Sequence, residues 1–125
     1  MSIRCIASAA APSAIGPYSP AIEAGGMVFV SGQLGIEPVT GAPESGVQRQ
    51  TERAIRNIKS LLAAAGLDLD HVAKTTIYLT NMADFAVVNE VYASHFKKPY
   101  PARSTVQVGE LPKGALVEIE AIAVK

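Results

Sequence analysis

From Ala115 to Val124 the chain reads ALVEIEAIAV, and the strict alternation in this stretch constrains the fold more than any other feature. Successive side chains of an extended strand point to opposite sides. Val117, Ile119, Ala121 and Ala123 therefore share one face, and Leu116, Glu118, Glu120, Ile122 and Val124 share the other. The first face is wholly apolar and has to be covered. The second mixes carboxylates with bulky aliphatics, which suits neither open water nor a dry core. Met27 to Ser31, His71 to Thr80 and Ala102 to Val108 also read as strands, being rich in β-branched and aromatic residues. A short strand over Ala21 to Ala24 precedes a Gly25-Gly26 turn, and another is expected around Cys5.

Two segments switch to helical period. Val47, Thr51, Ala54, Ile55, Ile58, Leu62 and Ala65 form one face of a helix, with Arg49, Glu52, Arg53, Arg56 and Lys59 on its solvated side. Ser45 and Gln48 have the spacing of a capping box, and Gly66 is placed to end the helix. A second helix runs from Asn81, a capping residue, to about Phe96, with Phe85, Val88, Tyr92 and Phe96 as its core stripe; Pro99 and Pro101 stop it. The order β-β-β-α-β-α-β-β predicts one α+β domain over residues 1–125, a two-layer sandwich of a mixed six-stranded sheet with both helices on one face.

Under the helices the alternation places Val28, Val30, Ala73, Ile77, Leu79, Val106 and Val108 beside the apolar set of the last strand, with Thr75 and Ser104 as polar exceptions. The opposite face then carries Met27, Phe29, Ser31, Thr76, Tyr78, Arg103, Thr105 and Gln107 with Glu118 and Glu120. Its large apolar groups exceed what a water-washed face carries, and a closed homo-oligomer is the simplest cover. Charges beside such an interface are costly unless paired or used. From spacing alone two readings stand, Arg103 paired with a glutamate in a structural role, the commoner arrangement, and Arg103 as an anion clamp with a glutamate as base.

Eleven basic residues balance eleven acidic ones, so no overall field draws the chain to nucleic acid or an acidic membrane. Cys5 is the one cysteine, which fits a reducing, cytoplasmic setting, and no Cys/His set has metal-ligand spacing. The run from Ile6 to Ala14 is too short for a membrane span and weak as a secretory signal. His71 and His95 sit at element ends and are expected at the surface, and Asn89 has no catalytic assignment.

Four stretches carry a family likeness: IGPYSPAI (15–22), VSGQLG (30–35), KTTIYLTNMADFAVVNEVY (74–92) and PARSTVQVGELPKGALVEIEAIAV (101–124). Together, in order and over nearly the whole chain, they resemble the RidA (YjgF) family. The resemblance implies a chorismate-mutase-like fold assembled as a homotrimer, with ligand sites in the clefts between subunits. It also implies hydrolytic deamination of reactive 2-enamine and 2-imino acids, such as 2-aminoacrylate and 2-iminobutyrate, to 2-oxo acids and ammonia. No metal or organic cofactor is implied.

By matching motif, Arg103 would hold the substrate carboxylate and so place the chain in the archetypal, arginine-containing branch. A guanidinium fork suits that task, since it donates two parallel hydrogen bonds and stays charged. Glu118 matches the glutamate that orients the attacking water, with Glu120, two residues on, as its rival. Tyr18 would wall the pocket, and Ser31 and Gly32 match its strand-end residues. Each also has a plain reading: a packed loop tyrosine, a turn serine, a structural ion pair. Thr105 stands where many members have cysteine, which excludes a thiolate there but leaves a hydroxyl and a backbone N–H for the carboxylate. An alternative function is binding of small 2-oxo acids without turnover. Ribonuclease action is disfavoured by the zero net charge and the lack of basic–aromatic alternation.

Overall fold

The computed structural model describes residues 2–125. Six strands, β1 (Ile3–Ile6), β2 (Ala21–Ala24), β3 (Met27–Leu34), β4 (Val72–Leu79), β5 (Ala102–Gln107) and β6 (Val117–Val124), form one open sheet in the order β1-β2-β3-β6-β4-β5. All neighbours are antiparallel except β4 and β5, which run parallel. The sheet is thus mixed and six-stranded, as the alternation predicts. β6, the strand with the cleanest alternation, lies inside it between β3 and β4.

Helices α1 (Gly46–Ala64) and α2 (Phe85–His95) cover one face of this sheet. Ile55, Ile58, Leu61 and Leu62 of α1 and Val88, Val91 and Tyr92 of α2 are buried against Val28, Val30, Ile77, Leu79, Val117, Ile119, Ala121 and Ala123. Each fully buried Leu or Ile contributes about 1.5–3 kcal/mol of transfer free energy, so this layer dominates the stability of the fold. Ser45 is the N-cap of α1 but its side chain makes no cap bond, so the capping box expected from Ser45 and Gln48 does not form. The other end behaves as expected. Gly66 takes φ +77°, its N–H donates to the Ala63 carbonyl (3.0 Å) and that of Leu67 to Leu62 (2.8 Å). Asn81 caps a short 3₁₀ turn, Met82–Asp84, that leads into α2.

The helix layer is tied to the sheet by polar side chains as well. Asn57 is fully buried, and its amide donates to the carbonyls of Leu34 (3.2 Å) and Ile36 (3.0 Å). Gln50 donates to the Glu44 carbonyl (3.0 Å) and accepts from the Leu116 N–H (2.8 Å), which pins the loop after β3 to the approach of β6. Gly35 lets that loop cross α1 closely, since a Cβ there would stand 2.5 Å from Gln50 Cβ.

Two face assignments and one strand end need correction. Ala73 is exposed rather than under the helices, because the ladder slips between Val72 and Lys74 and Val72 takes the buried place. Strand β3 does not end at Ser31 but continues through Gly32 to Leu34, past an irregularity between Val30 and Gln33. The largest change is on β5, where both sets are reversed. Thr75 pairs with Arg103, Ile77 with Thr105 and Leu79 with Gln107, so Arg103, Thr105 and Gln107 are on the helix side. Ser104 and Val106 are on the open side, where Val106 is 42% exposed. Alternation sorts residues within a strand, but the phase between strands is set by register. β5 is an edge strand, so its valines are not forced into the core.

Candidate functional site

The open side of the sheet carries the carboxylates. Glu118 pairs with Leu34 on β3 and Tyr78 on β4, and Glu120 with Thr76. Glu118 reaches over Gly32: a Cβ at that position would lie 2.7 Å from Glu118 Cδ. A side chain at residue 32 would have to displace the Glu118 carboxylate that lies over it. Together with Tyr18, Gln33, Pro38 and Lys113, the two line a cavity of about 300 Å³. Glu120 does not line it. Burial, and then the charge of Glu120, push the Glu118 carboxyl above its ordinary value. Burial and the charge of Glu120 likewise raise the Tyr78 phenol.

Tyr18 is 47% exposed on the loop before β2, and its hydroxyl accepts a hydrogen bond from the Ile15 N–H (3.3 Å). Ser31 Oγ donates to the Ser19 carbonyl (2.6 Å), and its N–H donates to the Pro20 carbonyl (3.0 Å). Ser31 thus spends its hydroxyl proton on holding the Tyr18 loop against β3. Lys113, at φ 58°, enters the same cavity and donates to the Gly41 carbonyl (3.3 Å). Sequence reasoning missed Lys113, because a single lysine in a Pro-Lys-Gly turn reads as solvent-exposed.

Arg103 and Thr105 are elsewhere. The expectation that Arg103 shares a face with Glu118 is overturned: the sheet separates them. Nor does Arg103 pair with a glutamate, since among the described residues no carboxylate lies within 4 Å of it. Its guanidinium instead lies over the rings of Tyr92 (4.9 Å to the centroid) and Phe85 (5.7 Å). Phe85, expected in the core, is 38% exposed. Thr105 Oγ1 is buried yet makes no hydrogen bond to any described residue. An orphan hydroxyl of this kind costs about 1–3 kcal/mol and calls for a partner.

The histidines play no part in either group. His71 Nδ1 lies 3.0 Å from Asp68. His95 is not a free surface residue as expected: it is part-buried and lies 2.5 Å from Glu52 of α1, bracing one helix on the other. Cys5 is exposed on the edge strand β1. No group of three or more His, Cys, Asp or Glu among the described residues is arranged to hold a metal ion, and no helix among them is long and apolar enough to cross a membrane.

The architecture defines a class: an α+β protein whose open sheet carries a carboxylate-lined cavity on one side and an acid-free arginine on the other. Comparison with known proteins narrows it. A family model described as Endoribonuclease L-PSP matches residues 8–125, and the chain belongs to that family, the YjgF/RidA family. It is 52% identical to Protein DfrA of Myxococcus xanthus, over 99% of this chain and 97% of that one. It is 45% identical to the human 2-iminobutanoate/2-iminopropanoate deaminase, over 98% and 90%. The crystal structure of RidA from an Antarctic Psychrobacter superposes with a TM-score of 0.96 at 45% identity, covering 98% of this chain and 99% of that one.

Proposed function

We propose that the protein hydrolyses short 2-imino and 2-enamine acids, such as 2-iminobutyrate and 2-aminoacrylate, to 2-oxo acids and ammonia. The observation that carries this reading is Arg103, a part-buried guanidinium with no acid of its own. A cation kept free of carboxylates within the fold is suited to receive one from a ligand. The orphan hydroxyl of Thr105 stands two residues along on the same face and offers the carboxylate a further bond.

The second half of the reaction needs a proton acceptor beside a water. Hydrolysis adds water oxygen to C2 of the imine while Glu118 takes a water proton. The imine nitrogen gains a proton to give the carbinolamine, which expels ammonia as its nitrogen gains a second proton and its hydroxyl loses one, so that C2 becomes the carbonyl carbon. A 2-enamine acid enters the same sequence after C3 gains a proton and the amine loses one, giving the imine. Burial pushes the Glu118 carboxyl up and makes it a stronger base, and of the two glutamates it is the one that lines the cavity. Tyr18 closes the cavity, and Gly32 gives the carboxylate its place.

Because the sheet separates Arg103 from Glu118, one copy cannot assemble both halves. The working site is therefore a cleft in a homo-oligomer, a trimer by the family likeness, in which Arg103 and Thr105 of one copy face Tyr18, Ser31, Gly32 and Glu118 of its neighbour. The human relative's name as a deaminase supports the reaction class. The test is to add purified protein to a threonine dehydratase reaction and follow imine absorbance. Wild type should speed the decay, and Arg103→Ala should lose most of that effect. Decay no faster than in buffer overturns the reading. Tight binding of 2-oxobutyrate with no rate would instead mark a binding protein.

A further inference from the structure

Arg103 is held, but not by an acid. Phe85 and Tyr92 are seven residues apart on α2, so they stand on one helix face about two turns apart and flank the guanidinium from the same element. Tyr92 is fixed from two sides. Its ring stacks on Phe96 with centroids 4.3 Å apart, and its hydroxyl lies 2.8 Å from Thr75 Oγ1. Thr75 is the register partner of Arg103 in the parallel β4–β5 pair. The same strand pair therefore sets both the arginine and the hydroxyl that anchors the ring beneath it.

The choice of aromatic rings has a chemical consequence. A carboxylate could hold a guanidinium as firmly, but it would occupy the N–H fork and cancel the charge. A ring attracts the cation through its π face and leaves all five N–H donors available. Burial pushes the Tyr92 phenol up, so the ring stays neutral and does not act as a hidden counter-ion.

We infer that Phe85 and Tyr92 are positioning residues, an aromatic collar that fixes the guanidinium of Arg103 while leaving its fork open to a substrate carboxylate. This rests on the reading of Arg103 as the carboxylate clamp. Phe85 is the residue to change, since it is 38% exposed and Tyr92 is buried.

The experiment measures affinity for 2-oxobutyrate and for its uncharged methyl ester by titration calorimetry, alongside steady-state kinetics on the imine. In Phe85→Leu the acid should bind about fivefold more weakly, the scale of one cation–π contact, and the ester as in wild type. KM should rise in step, with kcat within about twofold. Phe85→Tyr keeps a ring face and should restore acid affinity. Unchanged acid affinity in Phe85→Leu, equal losses for acid and ester, or no restoration by Phe85→Tyr would each overturn the collar. Arg103→Ala separates the two readings. If it binds the acid like wild type, the clamp itself fails. If it loses the acid while Phe85→Leu keeps it, the collar alone fails.

Discussion

At the scale of single residues, the open face is a problem of two acids placed close together. Glu118 and Glu120 stand on the same side of β6, and the charge of the second adds to burial in raising the carboxyl of the first. A general base acts when ionised, so the rate should climb with pH as Glu118 loses its proton, above the range of an ordinary glutamate. Removing the neighbouring charge lets Glu118 ionise at lower pH. Glu120→Gln is thus expected to move the acid limb of kcat/KM toward lower pH, in a pH–rate profile on the imine substrate. A limb that stays in place, or moves upward, refutes the coupling. Glu118 was legible by its motif position, and Glu120 by its parity. That only Glu118 lines the cavity was not legible, because it depends on Gly32 passing beneath its carboxylate.

Between elements, the decisive contacts are close backbone approaches and buried amides. The loop after β3 passes α1 at Gly35 and is bound to it through Asn57 and Gln50. A methyl at residue 35 would collide with the backbone of Gln50, which no rotamer change relieves. Gly35→Ala is expected to cost about 2 kcal/mol or more in urea unfolding, by forcing α1 away from β3. It should also cut activity, because the same loop continues through Ile36 and Pro38 into the cavity wall. A variant with wild-type stability would show that α1 sits less tightly than described. The helices and four of the strands follow from period alone. The failed capping box at Ser45 shows the limit of reading pairs by spacing: side-chain spacing permits a bond that the local geometry does not make.

For the whole molecule, the open face must be accounted for. Phe29 is 40% exposed, Val106 42% and Val124 44%, and they lie on the same side of the sheet as Glu118 and Glu120 of β6. Such a surface fits burial against another copy of the chain. If each cleft draws Arg103 from one copy and Glu118 from the next, two dead variants can repair one another. Arg103→Ala and Glu118→Gln, unfolded together and refolded as a mixture, should recover about a quarter of wild-type activity under random assembly, since each closed interface pairs two independently drawn copies. Each variant refolded alone should stay inactive. No recovery in mixed oligomers, confirmed by mass, would place both residues' work within one copy and sink the composite cleft.

By itself, the amino-acid sequence determined the element order, the apolar face of β6 and β3, the two amphipathic helices and, through four matching stretches, the family. Those properties are local or follow from periodicity, and each strand carries its own alternation. Tertiary structure alone decided which side of the sheet β5 presents. Parity within a strand is a property of its backbone, but phase between strands is a property of pairing, and an edge strand's valines do not settle it. The parallel register of β4 with β5 carried Arg103 and Thr105 to the helix side, away from Glu118. That one register placed residues expected on a single face on opposite sides of the sheet.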